Sequence, residues 1–111
     1  MMFHRFAGLR HAHFVGIGGA GMSGIAEVLA QYDLRVSGCD LATSETTARL
    51  ERLGIGIERG HSADHLEDVD LLVISSAVSP AIPEAKAARV RGITVVRRAE
   101  MVAELRRLKY G

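Results

Sequence analysis

Short apolar runs alternate with amphipathic segments along the whole chain. The runs are rich in valine, isoleucine and leucine, which favours strands, whereas the segments between them repeat apolar residues at the three-and-four spacing of a helix. Strands are predicted at residues 14–17, 34–40, 55–57, 70–76 and 93–96. The run over 70–76 is the clearest of them, because a continuous apolar sequence is what a strand covered on both faces requires.

Helices are predicted between these strands, and several have recognisable ends. They fall at 22–29, 44–53, 83–91 and 101–108, with one further helical turn over 62–68. Ser44 and Gly54 suit the two ends of the second helix, and Pro83 suits the first turn of the third. The second helix is predicted to carry the apolar residues Leu50 and Leu53.

Strands that alternate with helices predict right-handed βαβ units and a parallel sheet. We therefore expect an α/β, Rossmann-like three-layer fold, in which a five-stranded parallel sheet of order 3-2-1-4-5 carries helices on both faces. The chain has 111 residues, which is enough for one domain over residues 1–111. In this strand order the winding direction reverses between strands 1 and 4, and ligands bind at the carboxyl ends of the strands beside that reversal.

A glycine-rich turn joins the first strand to the first helix. Gly16, Gly18 and Gly21 match the pattern GxGxxG, with a predicted strand before them and a predicted helix after them. The free N–H groups and the dipole of a helix start attract phosphate, and glycines let a diphosphate approach the backbone closely. Nucleotide-phosphate binding is the favoured interpretation, and a turn selected only for tight strand-to-helix packing is the alternative.

Other polar residues follow the predicted strands at the same edge of the sheet. Asp40 ends the second strand, where a carboxylate accepts hydrogen bonds from a ribose or a base, or else caps the next turn. His61 is a candidate base or ribose contact. Ser75 and Ser76 either bind a diphosphate or sugar or satisfy loop backbone, and Ser23 either meets a phosphate or simply starts the helix. Four strand ends are thus expected to face one crevice.

Metal and catalytic sites are not predicted. His61 and His65 are four residues apart, but no third ligand lies nearby in the sequence and His65 is expected on an exposed turn. Cys39 is the single cysteine, so an internal disulfide is excluded, and without a paired base it is interpreted as a small buried residue. Arg97 and Arg98 end the fifth strand, where one arginine can reach an anionic ligand.

Composition and charge fit a soluble globular domain. The chain is 48% hydrophobic and 24% charged, with a formal net charge of +1, which gives no reason to expect a nucleic-acid partner. The apolar part of the N-terminal region is broken by glycines and is too short to cross a bilayer, so we expect neither a signal peptide nor a membrane partner. The single cysteine fits a reducing cytoplasm, which is the expected location. No GxxxxGK[ST] sequence occurs, so an ATP site of that type is not expected within these residues.

Several segments together resemble the N-terminal domain of the alanine-adding Mur ligases. The resemblance covers about residues 10–111. The segments that carry it are HFVGIGGAGMSGIAEVL, VSGCD, TTARLERLGIGIERGH, DLLVISSAV and VVRRAEMVAELRRLKYG.

The resemblance implies a domain that holds the UDP part of UDP-N-acetylmuramate. It assigns diphosphate contacts to Gly18, Gly19, Ala20, Gly21, Met22 and Ser23. It assigns the surroundings of the uridine or sugar to Asp40, His61, Ser75 and Ser76. In the family, ATP and Mg²⁺ activate the substrate carboxylate for attack by L-alanine, and that machinery lies in a central ATPase domain and a C-terminal domain. The resemblance therefore implies that this fragment needs no cofactor, binds the nucleotide and does not ligate by itself.

Three positions depart from the family pattern, and one other class of function remains open. Ile82 and His65 stand where asparagine is usual, and Cys39 replaces a common serine. These departures concern possible ligand contacts and leave the glycine turn intact. The alternative is a free-standing NAD(H)-binding sensor, which the glycine turn and Asp40 would serve equally well.

Overall fold

The computed structural model describes residues 9–32, 34–75, 78, 79 and 81–103. Its strands are β1 (His11–Val15), β2 (Arg35–Asp40), β3 (Gly56–Arg59), β4 (Leu71–Ile74) and β5 (Thr94–Arg97). Its helices are α1 (Ala20–Ala30), α2 (Glu45–Arg52) and α3 (Pro83–Arg91), with a 3-10 helix at Ala63–Leu66. Residues 98–103 are also helical, so the last helix begins before the apolar stripe predicted at 101–108, whose remainder lies outside the described residues.

The five strands form one parallel sheet of order β3-β2-β1-β4-β5, which confirms the predicted topology. β1 lies in the centre, with Phe14 level with Gly38 of β2 and Val73 of β4. All strands run in the same direction, so their carboxyl ends share one edge of the sheet. This edge holds the glycine turn and the residue Asp40.

Two apolar clusters on opposite faces of the sheet make the fold three-layered. On one face, α1, α2 and the helix at 98–103 pack on the sheet through Met22, Leu29, Leu50 and Met101. On the other face, α3 and the 3-10 helix pack through residues that include Ala85, Ala88 and Leu66. Helices therefore cover both faces, as the alternating pattern predicts.

The first strand begins earlier than its apolar residues indicate. β1 starts at His11, and both His11 and His13 are buried in it. Buried polar side chains require hydrogen-bond partners, which a sequence pattern does not reveal. Here the hydroxyl of Ser37 lies 2.7 Å from His11 Nε2 and 2.8 Å from His13 Nδ1.

The predicted ends of α2 are confirmed, and its two predicted apolar residues differ in burial. Ser44 is the N-cap and Gly54 follows the last turn with φ +92°. Leu50 is fully buried, whereas Leu53 is 54% exposed because it lies at the C-cap, beyond the face that packs on the sheet. Pro83 likewise occupies the first turn of α3.

Candidate functional site

The turn between β1 and α1 has the shape of an anion-binding helix start, but much of its backbone is already hydrogen-bonded. Gly16 takes φ +76°, and its N–H and that of Ile17 donate to the carbonyl of Cys39. The Gly19 N–H donates to the Gly16 carbonyl at 3.0 Å, and the Met22 N–H is the first bonded within the helix. The first turn contains no acidic residue, and Gly19 supplies no side-chain cap.

Asp40 closes this turn from the neighbouring strand. Its Oδ2 accepts a hydrogen bond from the Gly18 N–H at 2.8 Å, and its Oδ1 accepts one from the Ala42 N–H at 3.3 Å. A Cβ added at Gly18 would lie 2.9 Å from Asp40 Oδ2 and 3.0 Å from Thr47 Cγ2, so a larger residue would have to displace these side chains. The Asp40 carboxylate is therefore built into the turn and borders the site from the β2 side.

Arg98 lies against the first turn of α1 from the opposite side. A Cβ added at Gly21 would lie 2.8 Å from Arg98 Cδ and Nη1, so the arginine fills the space that glycine leaves. The N-terminal end of a helix carries partial positive charge, and a guanidinium beside it is unfavourable without an anion between them. A phosphate at this place would be bound by both groups.

The other residues predicted to contact the ligand differ in exposure and in position. Met22 is 2% exposed with its side chain in the core, and Ser23 is 7% exposed, so neither presents a side chain openly. Ala20 is the first residue of α1. Ser75 follows β4, and its carbonyl accepts a hydrogen bond from Val78, whose side chain is 4.0 Å from the Cβ position of Gly16. Ser76 lies outside the described residues.

His61 contacts the buried carboxylate of Glu84, which is not among the predicted site residues. Its Nδ1 is 3.2 Å from Glu84 Oε1, and the His61 side chain is 27% exposed while that of Glu84 is fully buried. Glu84 belongs to the first turn of α3, directly after Pro83. The sequence signal for Glu84 is an acidic residue at a helix start. Such a residue is normally exposed and interacts with the helix dipole, so the pattern does not predict a buried carboxylate.

Glu84 is held by donors from two other segments of the chain. Its Oε2 accepts hydrogen bonds from the Ser62 N–H at 3.0 Å, from His65 Nδ1 at 2.9 Å and from the Cys39 thiol at 3.5 Å. Burial acts to raise the pKa of Glu84, but the N–H groups of Ser62 and Glu84 itself, the His65 ring and the charge of His61 outweigh it and leave the pKa below its ordinary value.

The expectation that His65 lies on an exposed turn is wrong. Its side chain is 10% exposed, and its ring faces inward because Nδ1 bonds to Glu84. The His65 ring centroid lies 5.5 Å from that of His13. Burial, together with the neighbouring His65, lowers the pKa of His13 to about 4 and keeps its ring neutral.

Cys39 is fully buried, as expected, and it shares this cluster. Burial and the nearby Glu84 carboxylate raise the pKa of the Cys39 thiol, so the thiol is protonated in this arrangement. The four side chains of His13, Cys39, His65 and Glu84 come from β1, β2, the 3-10 helix and α3 respectively. A groove of about 760 Å³ runs beside them over the sheet and is lined by residues that include His13 and His65.

A doubly wound parallel sheet with a glycine turn at its switch point defines the class of Rossmann-like domains. The family model described as "Mur ligase family, catalytic domain" matches residues 11–110, and the chain belongs to the Mur ligase family.

Relatives with curated names agree with this assignment. The chain is 60% identical over 99 residues to the UDP-N-acetylmuramate–L-alanine ligase of Anaeromyxobacter sp. (strain Fw109-5), covering 89% of this chain and 22% of that protein. It is 54% identical over 103 residues to the enzyme of the same name from Sorangium cellulosum, covering 93% of this chain and 22% of that protein. The chain thus spans about a fifth of the length of these relatives.

A solved structure shares the fold closely. The crystal structure of a UDP-N-acetylmuramate-alanine ligase from Thermotoga maritima superposes with a TM-score of 0.86 at 34% identity, over 92% of this chain and 24% of that one. Within the described part of the chain, no helix is both long and apolar enough to cross a membrane.

Proposed function

We propose that this chain is the N-terminal, UDP-N-acetylmuramate-binding domain of a ligase that joins L-alanine to that nucleotide in peptidoglycan synthesis. The observation that supports it most is the pairing of Arg98 with the start of α1 at the switch point of the sheet. Curated relatives that are more than half identical to the chain carry the name of this activity.

The diphosphate is proposed to bind at the first turn of α1, beside Arg98. The N–H groups of Ala20 and Gly21 precede the first N–H bonded within the helix, so they can point at phosphate oxygens. Gly18 and Gly19 are proposed to shape the turn that holds the ligand. Their side-chain positions face the protein itself, namely Asp40 and Thr47 at Gly18 and the Gly16 carbonyl at Gly19. The guanidinium supplies the countercharge and a two-pronged hydrogen bond.

The uridine and sugar are proposed to lie beside Asp40 and His61. Asp40 borders the turn at the end of β2, and its carboxylate can accept hydrogen bonds from ribose hydroxyls or the base. His61 is held from behind by Glu84, which leaves the other side of its ring for the ligand. Ser75 would reach the ligand from the end of β4.

Ligation itself is assigned to residues outside this chain. We propose that the whole enzyme uses ATP and Mg²⁺, as the family resemblance implies, to activate the carboxylate that L-alanine attacks. These 111 residues contain no GxxxxGK[ST] loop, so no ATP site of that type and no step of the ligation are placed on them. The chain alone is expected to bind UDP-N-acetylmuramate without joining it to L-alanine.

Calorimetry with UDP-N-acetylmuramate, NADH and ATP, each titrated separately into the chain, tests this function. Binding is expected for the first ligand only. Binding of NADH without UDP-N-acetylmuramate would overturn the proposal in favour of a nicotinamide-nucleotide sensor.

Two arginine variants test the placement of the diphosphate. Arg98→Gln is expected to weaken UDP-N-acetylmuramate binding by about 10- to 150-fold, because a charge-assisted hydrogen bond contributes about 1.5 to 3 kcal/mol. Arg91→Gln, which removes an equal charge from the exposed end of α3, is the matched control and should bind like the unaltered chain. Equal affinities for the two variants would refute this placement while leaving nucleotide binding intact.

A further inference from the structure

We propose that His13, Cys39, His65 and Glu84 form a binding site for one divalent transition-metal ion of the zinc type. One potential ligand atom from each of these residues lies within 4.8 Å of all the others. The site goes beyond the proposed nucleotide binding and does not depend on it, because the residues that carry it lie between the sheet and α3.

Two buried polar atoms in the cluster lack a well-aligned hydrogen bond among the described residues and could bind such an ion. His13 is 1% exposed, and its Nε2 has no hydrogen-bond partner among the described residues. Glu84 Oε1 is also buried without a well-aligned hydrogen bond in that part of the chain, although His61 Nδ1 lies near it. Buried polar atoms without partners are costly, and an ion that both atoms could bind would remove that cost.

The surrounding hydrogen bonds favour the form of His13 that binds metal. His13 Nδ1 is 2.8 Å from Ser37 Oγ, so the ring can donate its proton there and keep the Nε2 lone pair for the ion. The Ser37 hydroxyl proton can then point to His11 Nε2, at 2.7 Å. A histidine that binds zinc usually donates its second ring N–H to a fixed oxygen in this manner.

The type and spacing of the donors suit zinc. Two imidazoles, a thiolate and a carboxylate are the ligands that zinc takes in tetrahedral sites. Bonds of about 2.1 Å to nitrogen and about 2.3 Å to sulfur hold such donors about 3.4 to 3.6 Å apart. The cluster would therefore contract by about 1 Å, which shifts of four side chains can supply.

Metal binding would exchange a proton for the ion. The Cys39 thiol loses its proton to solvent as the sulfur–metal bond forms, while the ring of His13 binds without a proton change. Glu84 binds as a carboxylate. His65 binds as a neutral ring, with its proton moving from Nδ1 to Nε2 as the metal replaces the hydrogen bond to Glu84. One proton is released for each ion at neutral pH.

An acidic groove offers a path to the site. The groove of about 760 Å³ is lined by His13 and His65, and it carries five carboxylate residues against the single arginine Arg35. These five acids are Glu51, Glu58, Asp64, Glu67 and Asp68. A cleft with an excess of one charge attracts ions of the opposite sign, so the groove would concentrate cations beside the cluster.

Titration of the chelator-treated chain with Co²⁺ and Zn²⁺ tests the proposal. Cys39 is the single cysteine, so a thiolate-to-cobalt charge-transfer band in the near ultraviolet can come only from it. We expect one equivalent of Co²⁺ to bind with that band and with visible bands of tetrahedral intensity. Zinc should displace the cobalt and raise the melting temperature of the chain.

Three variants distinguish a metal site from a hydrogen-bonded cluster. Cys39→Ser should abolish the charge-transfer band, and His13→Gln should weaken metal binding at least about 10-fold. His61→Gln removes a histidine that also contacts Glu84 but is not one of the four proposed ligands, so it should retain the band and lose less affinity than His13→Gln. Absence of the band in the unaltered chain, metal affinity unchanged by Cys39→Ser, or an equal loss in His61→Gln and His13→Gln would each overturn the proposal.

Discussion

At Gly21 the absence of a single methyl group lets Arg98 lie on the first turn of α1. The contact involves Cδ, Nε and Nη1 at the outer end of a flexible side chain, so a methyl group would displace the arginine and leave the backbone in place. The position of the Arg98 guanidinium at the start of α1 therefore depends on the glycine at position 21.

Gly21→Ala is expected to weaken UDP-N-acetylmuramate binding by about 10-fold or more, since the displaced guanidinium can no longer bind the diphosphate as closely. Gly24→Ala is the matched control within the same helix. Nothing lies within 4 Å of its added methyl group, so it should keep the affinity and stabilise the helix by about 0.5 to 1 kcal/mol. Calorimetry measures the affinity, and urea unfolding measures the stability. Equal affinity in the two variants would contradict the role proposed for Arg98.

At the scale of elements, the start of α2 is connected to the glycine turn. Ser44 and Thr47 form a capping box in which Ser44 Oγ accepts from the Thr47 N–H at 3.2 Å and Thr47 Oγ1 accepts from the Ser44 N–H at 2.9 Å. The methyl group of the same Thr47 is 3.0 Å from the Cβ position of Gly18. The cap thus fixes one wall of the turn as well as the helix.

Ser44→Ala is expected to lower the free energy of unfolding by about 1 kcal/mol, because the Thr47 N–H loses its acceptor at the helix start. Thr43→Ala changes an exposed neighbour outside the cap and should alter the free energy of unfolding by less than about 0.5 kcal/mol. Urea denaturation of both variants measures the difference. A loss of similar size in Thr43→Ala would argue against a specific contribution from the cap.

The elements themselves could largely be predicted from the sequence, whereas the cluster around Glu84 could not. Apolar runs such as the one in β4 and caps such as Ser44 depend on neighbouring residues, so a local pattern reveals them. His65 turns inward because the Glu84 carboxylate, on a different helix, accepts a hydrogen bond from its ring. Contacts of this kind depend on how distant segments pack, and no spacing in the sequence records them.

At the scale of the whole molecule, a buried neutral histidine makes the stability of the fold depend on pH. The pKa of His13 falls from 6.5 to about 4 on folding, chiefly through burial. Between these values the unfolded chain binds a proton that the folded chain does not, so stability falls as the pH decreases from 6.5 towards 4. The carboxyl of Glu84, whose pKa is below its ordinary value, affects stability only at lower pH.

Lowering the pH from 7 to 5 should therefore cost the unaltered chain about 2 kcal/mol of unfolding free energy through His13 alone. His13→Gln removes this titration, so the variant should lose about 2 kcal/mol less unfolding free energy than the unaltered chain between pH 7 and pH 5. Urea unfolding at both pH values, in the presence of a chelator, measures the two differences. If the chain and the variant lose equal stability, His13 is not the group responsible.

The proposed diphosphate site would form late in synthesis, because Arg98 is needed to complete it. The ribosome releases Gly21 and the whole of α1 long before it reaches Arg98, which follows the last strand. A nascent chain therefore contains the residues of the glycine turn before it contains Arg98, and the proposed site would be complete only after β5 has left the ribosome.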